Sequence, residues 1–407
     1  MIETAVVRLK RGREDALLRR HPWLFSGGVM RVEGDPEPGA LVAVHSNDGT
    51  FLAWGHYSPH SQIRVRLISW DESRRPAGAD FWRERLRRAV AARPLLQSDP
   101  ETDAYRLVHA ESDYIPGLIV DRYAGVLVVQ FLSAGVEARR ELFADLLLEE
   151  LQPHSLYERS DADVRQKEGL PERAGPLRGP APPEEVEVRE NGLRFLVDVR
   201  GGHKSGFYLD QRENRLRLGE LTAALVRSVA PPSLLNVFAY TGGFAIYALA
   251  AGARSAVNVD SSAEALSRGQ QNLALNGLSG AQSEDIAGDA FQVLRDLRER
   301  EQRFDLIVLD PPKFAHSQRD VKRAARGYKD INLQALHLLR PGGHLFTFSC
   351  SGVVSADLFQ KIVFGAALDA GRPTQIVGEM MQSRDHPVAL TFPEGAYLKG
   401  LVCRVLE

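Results

Sequence analysis

Two short stretches in the last hundred residues carry side chains that can do chemistry on a nucleic-acid base. The first is Asp310-Pro311-Pro312-Lys313-Phe314. Its prolines fix their own backbone torsions and lack N–H donors. The loop therefore offers rigid carbonyl acceptors beside a carboxyl group. Such a set suits the exocyclic amine and ring nitrogen of a base taken out of its stack. Alone, it points to methyl transfer onto an amine of adenine or guanine. The second stretch is Ser349-Cys350-Ser351, and it changes the expected chemistry. Carbon-5 of cytosine is a poor nucleophile. A thiolate added at carbon-6 turns it into an enamine-like carbanion equivalent. A free thiol titrates near about 8.5, and the thiolate is the reactive form. The competing reading makes Cys350 a small buried hydrophobe, the commoner fate of a free cysteine. Cys403 is the only other cysteine. It sits inside the apolar run Leu401-Val402-Cys403-Arg404-Val405 and reads as core.

A cofactor unit precedes these stretches. Leu234 to Phe238 is an apolar run that breaks at Thr241-Gly242-Gly243, and an Ala-rich helical stretch follows to Ala251. A second apolar run, Ala256 to Val259, ends on Asp260, with Ser261 next. This is a β–loop–α–β–acid unit, the sequence form of a nucleotide-binding half of a doubly wound sheet. Phe238, Tyr240 and Gly242 stand where the backbone can approach a ligand, and Asp260 suits two ribose hydroxyls. Asp289, after Gly288, suits an adenine amine. The loop is not G-x-G-x-x-G, so no pyrophosphate cradle opens the helix. A ribose without a pyrophosphate points to S-adenosylmethionine rather than NAD. An ordinary βαβ unit with a tight turn is the plainer alternative. Upstream, residues 200–215 form a bent loop around Gly201, Gly202 and Gly206, with Asp210 as a candidate helix cap. Gln211 and its neighbours could cover the methionine end of the cofactor, or simply start a helix.

These groups need a scaffold. Helices are expected at 263–276, 291–300, 329–339 and 356–370, and strands at 304–310, 344–349, 374–378 and 397–406. In such sheets ligands bind outside the carboxyl ends of the strands. That edge would collect Tyr240 to Gly243, Asp260, Asp289, Asp310 and Cys350. Residues 1–73 read as a β-rich module with strands at 6–9, 29–32, 41–45, 51–57 and 62–69. Arg11 and Arg13 stand in a basic cluster before His21-Pro22-Trp23-Leu24-Phe25. Gln62, Arg64 and Arg66 alternate with apolar residues, so one face should be core and the other basic. A basic cluster beside exposed aromatics could hold RNA phosphates and stack bases; a solvated charged face is the alternative. Residues 74–186 read as an α+β domain closed by a Pro/Gly-rich linker at 169–185, and 187–407 as the catalytic domain with a leading hairpin.

Composition narrows the class. The chain has 407 residues, 44% of them hydrophobic and 26% charged, as in a soluble globular protein of two or three domains. No apolar run reaches the roughly 18 residues of a membrane span, and Met1-Ile2-Glu3 does not begin a signal peptide. Two cysteines are too few for a disulfide framework or a structural zinc site, which fits a reducing cytoplasm. With a net charge of −2, any RNA surface must be local, or the affinity modest at physiological salt. A homodimer is compatible with all of this.

Taken together, Lys204-Ser205-Gly206-Phe207-Tyr208-Leu209-Asp210-Gln211-Arg212, Asn236 to Phe244, Asp310 to Phe314, Ser349 to Ser351, Asp385-His386-Pro387 and Pro393 to Gly400 resemble the RlmI family. Those bacterial enzymes make 5-methylcytosine in large-subunit (23S) ribosomal RNA. The resemblance implies a PUA module, a central α+β domain and a class I methyltransferase domain. His21 to Phe25 and Gly55-His56-Tyr57-Ser58-Pro59 are the residues similar to a PUA module. It further implies Cys350 as nucleophile, Asp310 with Pro311, Pro312, Lys313 and Phe314 at the base, Asp260 and Asp289 on ribose and adenine, and the 204–212 loop near the methionine end. Ser205 stands where Thr is expected, which keeps the hydroxyl. Two other readings remain: an amino-methyltransferase with Cys350 structural, and a non-catalytic ribosome-assembly factor.

Overall fold

The apolar run at Ser233–Val237 becomes β1, every residue of it buried, in the middle of a seven-stranded sheet. The computed structural model describes residues 4–406. After helix α1 (Arg212–Ser228) and β1 come α2 (Gly243–Ala250), β2 (Ser255–Asp260), α3 (Ala263–Leu275), β3 (Gln282–Ala287) and α4 (Ala290–Glu299). Next are β4 (Phe304–Leu309), α5 (Val321–Leu338), β5 (Leu339–Ser349), α6 (Ala356–Ala370), β6 (Thr374–Met381) and β7 (Lys399–Val405). The sheet order is β3-β2-β1-β4-β5-β7-β6. β7 alone runs antiparallel to its neighbours β5 and β6. The chain reverses its winding between β1 and β4, so the crevice expected at a switch point lies above those two tips. Leu235, Val237, Ile307 and Leu309 meet Leu294, Ile331, Leu336 and Phe359 from the helices in one core.

The chain divides into two compact units. The one just described comprises Leu193–Leu196, Asp210–Arg384 and the residues from Ala396. The other comprises the residues up to Gly192, Val197–Leu209 and the excursion Asp385–Gly395. It holds a six-stranded sheet around Val7, Leu9, Val42, Val44 and Val65, and a five-stranded sheet packed on Trp82, Leu86, Phe143 and Leu147. The excursion is built into this unit. Arg93 donates to the Asp385 carbonyl at 3.0 Å, the Arg106 amide to the Asp385 carboxylate at 2.8 Å, and Phe392 lies edge-on to Trp23 at 4.7 Å.

Several expectations need correction. Packing groups the residues up to Gly192 with 197–209 and 385–395, a division that stands beside the expected domains 1–73, 74–186 and 187–407 without replacing them. The supposed linker at 169–185 contains a strand, Arg173–Arg178, paired antiparallel to Ser155–Ser160. It is an edge strand, which tolerates Pro176. Arg66 does not face solvent: it is 5% exposed and ion-paired to Glu168 at 2.7 Å and Glu111 at 3.4 Å. The aromatic motif is mostly spent inside the fold, leaving Phe25 as its exposed ring. The N-cap position of α1 is Gln211 rather than Asp210, and the Asp210 carboxylate accepts from the Tyr397 hydroxyl at 2.6 Å. The helix expected at 329–339 starts eight residues earlier, at Val321. The turn at Pro341-Gly342-Gly343 is a bulge within β5.

Candidate active site at the carboxyl edge of the sheet

The loop after β1 is held in an unusual backbone shape. Phe238 and Tyr240 have φ of 61° and 49°, a region non-glycine residues seldom enter. The shape is fixed by Asp260 at the tip of β2. One carboxylate oxygen accepts from the Tyr240 amide at 2.8 Å, the other from the Ser262 amide at 2.9 Å. Two amides thus orient the acid, and each oxygen keeps a lone pair for a further donor. Gly242 continues the loop at φ 76°, and a side chain on Gly243 would meet Arg215 at 2.9 Å. The Gly288 amide bonds the Asp260 carbonyl at 2.9 Å, bringing Asp289 next to this acid. Asp289 is exposed, and its Oδ1 caps α4 through the Gln292 amide at 3.0 Å.

Across the switch point, the Asp310 amide reaches the Val237 carbonyl at 3.4 Å, so the tips of β1 and β4 are tied. Pro312 and Lys313 are exposed, while Phe314 turns back against Phe238 and Tyr328 at 6.4 and 4.7 Å. Cys350 leaves the end of β5 partly exposed, its Sγ 4.0 Å from the Pro311 carbonyl. Its flanking serines are fully buried. The Ser349 hydroxyl donates to the Tyr328 hydroxyl at 3.0 Å, which lies 3.1 Å from that of Ser351. Ser351 Oγ also accepts from the Ala315 amide at 3.2 Å. A hydroxyl web therefore fixes the thiol loop against the Asp310–Ala315 loop. Burial pushes the Tyr328 phenol up, so it stays neutral and can donate. Cys403 lies in the core at 1% exposure, its thiol pushed up to about 12 by burial.

The structure thus unites Phe238, Tyr240, Gly242, Asp260, Asp289, Asp310, Pro311, Phe314 and Cys350 on one edge, with exposed Ser261, Pro312 and Lys313 beside them. Gln211 is placed differently: it is buried at the start of α1, its Oε1 taking the Asn214 amide at 2.6 Å. Lys204 to Leu209 belong to the other unit, where Ser205 is bonded to Asp121 and the Tyr123 hydroxyl. Arg11 and Arg13 are exposed in that unit as well. Sequence reasoning quoted Ser349, Ser351 and Lys399 only as parts of motifs, and missed Ser262 and Tyr328. The capping box Ser317–Asp320 could have revealed the earlier start of α5, and with it Tyr328.

The strand order, the acid at the β2 tip and the pyrophosphate-free loop define a class I methyltransferase, and the oriented Asp260 carboxylate fits the ribose of S-adenosylmethionine. Comparison with known proteins agrees. A PUA-like domain family matches residues 7–70, and an S-adenosylmethionine-dependent methyltransferase family matches residues 106–367. The chain is 50% identical to ribosomal RNA large subunit methyltransferase I of Aeromonas salmonicida, with 98% of each chain covered. It is 49% identical to the protein of that name in Shewanella amazonensis, covering 98% of this chain and 99% of the relative. The chain belongs to the ribosomal RNA large subunit methyltransferase I family. Among solved structures, a Streptococcus mutans protein described as a SAM-dependent methyltransferase matches at 20% identity with a TM-score of 0.83, covering 98% of this chain and all of the other. A methyltransferase complexed with SAH matches at 21% identity and a TM-score of 0.84. Both share the fold.

Proposed function

We propose that this enzyme methylates carbon-5 of a cytosine in large-subunit ribosomal RNA, with Cys350 as nucleophile and Asp310 at the base. The observation that carries the reading is the meeting of a partly exposed thiol and the Asp310-Pro311-Pro312 loop at one strand edge, with Cys350 Sγ 4.0 Å from the Pro311 carbonyl. An amino-methyltransferase needs the second of these and not the first.

S-adenosylmethionine supplies an electrophilic methyl group. Asp260 and Asp289 would hold its ribose and adenine, with Phe238, Tyr240, Gly242 and Ser261 along its length and Gln211 toward its methionine end. The Cys350 thiolate adds to carbon-6 of the base, and its electron pair passes through the ring to carbon-5, which takes the methyl. Loss of the carbon-5 proton to a base returns the electron pair and expels the thiolate. Asp310, with the Pro311 carbonyl, accepts from the exocyclic amine, while exposed Pro312 and Lys313 face the incoming strand and Phe314 braces the loop. Arg11 and Arg13 on the PUA-like module hold RNA phosphates. The relatives' names support large-subunit ribosomal RNA as the substrate, and the family resemblance supports these residue roles and a bacterial cytoplasmic setting.

Nucleoside mass spectrometry of RNA treated with the pure protein tests the proposal. 5-Methylcytosine supports it; a methylated adenine or guanine amine replaces it with the amine reading.

A further inference from the structure

Lys399 opens β7 and faces Ser349 in the strand register, one residue before the thiol. Its Nζ donates to the Ser351 carbonyl at 2.8 Å and to the Val354 carbonyl at 2.8 Å. Those two carbonyls bracket the turn that follows Cys350, and the turn is closed by the Val354 amide on Ser351 at 3.0 Å. A half-buried lysine at the mouth of an apolar strand could have reached solvent along its stem. This one turns inward, under the thiol loop.

We propose that Lys399 is a positioning residue for Cys350: it staples the turn behind the thiol and sets a positive charge beside it. The proposal rests on the reading of Cys350 as the nucleophile. Burial lowers the Lys399 ammonium to about 8, the charge of Cys350 acts to raise it, and Lys313 acts to lower it. The coupling with Cys350 is mutual: a thiolate that favours the ammonium is favoured by it. Among the described residues, other titratable groups near the thiol include Tyr328 from α5, held neutral by burial, and Asp310 and Lys313 on the loop after β4. An ammonium has three donors, and two are fixed on carbonyls, so the charge cannot swing away as a surface lysine's would. The same two bonds keep Ser351 where its hydroxyl meets Tyr328, so one residue serves both the place and the charge of the nucleophile.

The test is the pH dependence of Cys350 alkylation by iodoacetamide on the full-length protein, with mass spectrometry separating Cys350 from buried Cys403. Lys399→Met and Lys399→Gln should each raise the alkylation midpoint by about one pH unit, or slow alkylation about tenfold at neutral pH. Lys399→Arg should restore the midpoint. Cofactor affinity, measured by calorimetry, should hold in all three, certifying the fold. A midpoint unmoved in Met or Gln variants that still bind cofactor, or moved equally by Arg, overturns the proposal. Turnover of Cys350→Ala is measured alongside: full turnover there sinks the nucleophile reading and this one with it, whereas an unmoved midpoint sinks only the role of Lys399.

Discussion

Trp23 gives its indole N–H to the Glu111 carboxylate at 2.8 Å. The same carboxylate lies 3.4 Å from Arg66, which also holds Glu168 at 2.7 Å. The PUA-like segment is therefore bonded through buried polar groups to the segment that follows it. Glu111→Ala should destabilise the protein by about 3 kcal/mol, because a half-buried indole N–H and a buried guanidinium lose a partner. Urea unfolding measures this. A change within 0.5 kcal/mol would show that water reaches the site.

The cofactor site makes a sharper demand. Asp260 orients the loop through Tyr240 and Ser262 while keeping lone pairs for ribose. Asp260→Ala should weaken S-adenosylmethionine binding by roughly 1–3 kcal/mol. Unchanged affinity in calorimetry would contradict the placement of the ribose there.

Cys350→Ala should abolish methyl transfer and spare cofactor binding. With 5-fluorocytosine at the target, carbon-5 has no proton to lose, so the enzyme should stay attached as a denaturant-resistant protein–RNA band. Cys403→Ala should still give the band. Near-normal turnover by Cys350→Ala would leave the Asp310 loop to amine methylation.

RNA docking by Arg11 and Arg13 can be tested without truncation, which would strip Glu111 and Glu168 of Arg66. Reversing both charges should lower the magnitude of the salt slope of RNA binding by about one to two and leave cofactor affinity alone. An identical slope in filter-binding titrations would remove both residues from the interface.

Two buried histidines predict acid sensitivity. Burial, then Arg139, holds His56 well below 6.5, and burial, then Arg106, does the same for His109. Folded, both stay neutral; unfolded, both take up protons near pH 6.5. The unfolded chain thus binds more protons in acid, and stability present above pH 6.5 is lost as pH falls toward the folded values. Each unit of separation is worth about 1.4 kcal/mol. The Tm should drop between pH 7 and 5, less steeply in His109→Gln. Equal slopes would mean that His109 titrates normally in the fold.

The sheet was legible because apolar runs that end on an acid mark strand tips, as at Asp260 and Asp310. Cys350 was legible by rarity. Lys399 and Tyr328 were not: their meaning lies in hydrogen bonds to residues that only the fold brings near. Arg66 misled for a related reason. Alternation along one strand reveals two faces, but not the second layer that buries the charged one. Val197–Leu209 and Asp385–Gly395 look continuous with their neighbours in sequence, and their membership of the other unit depends on partners such as Asp121 and Trp23.

That excursion bears on synthesis. The amino-terminal unit takes Asp385–Gly395 as part of its own packing, burying Asp385, His386 and Phe392. A ribosome delivers residues in order, so Arg93 and Arg106 wait for a partner 292 and 279 residues further on. Until then the nascent unit carries a gap shaped for a segment still being made. A message cut short anywhere before that segment would leave both units defective, so a partial product cannot pass as a working half-enzyme.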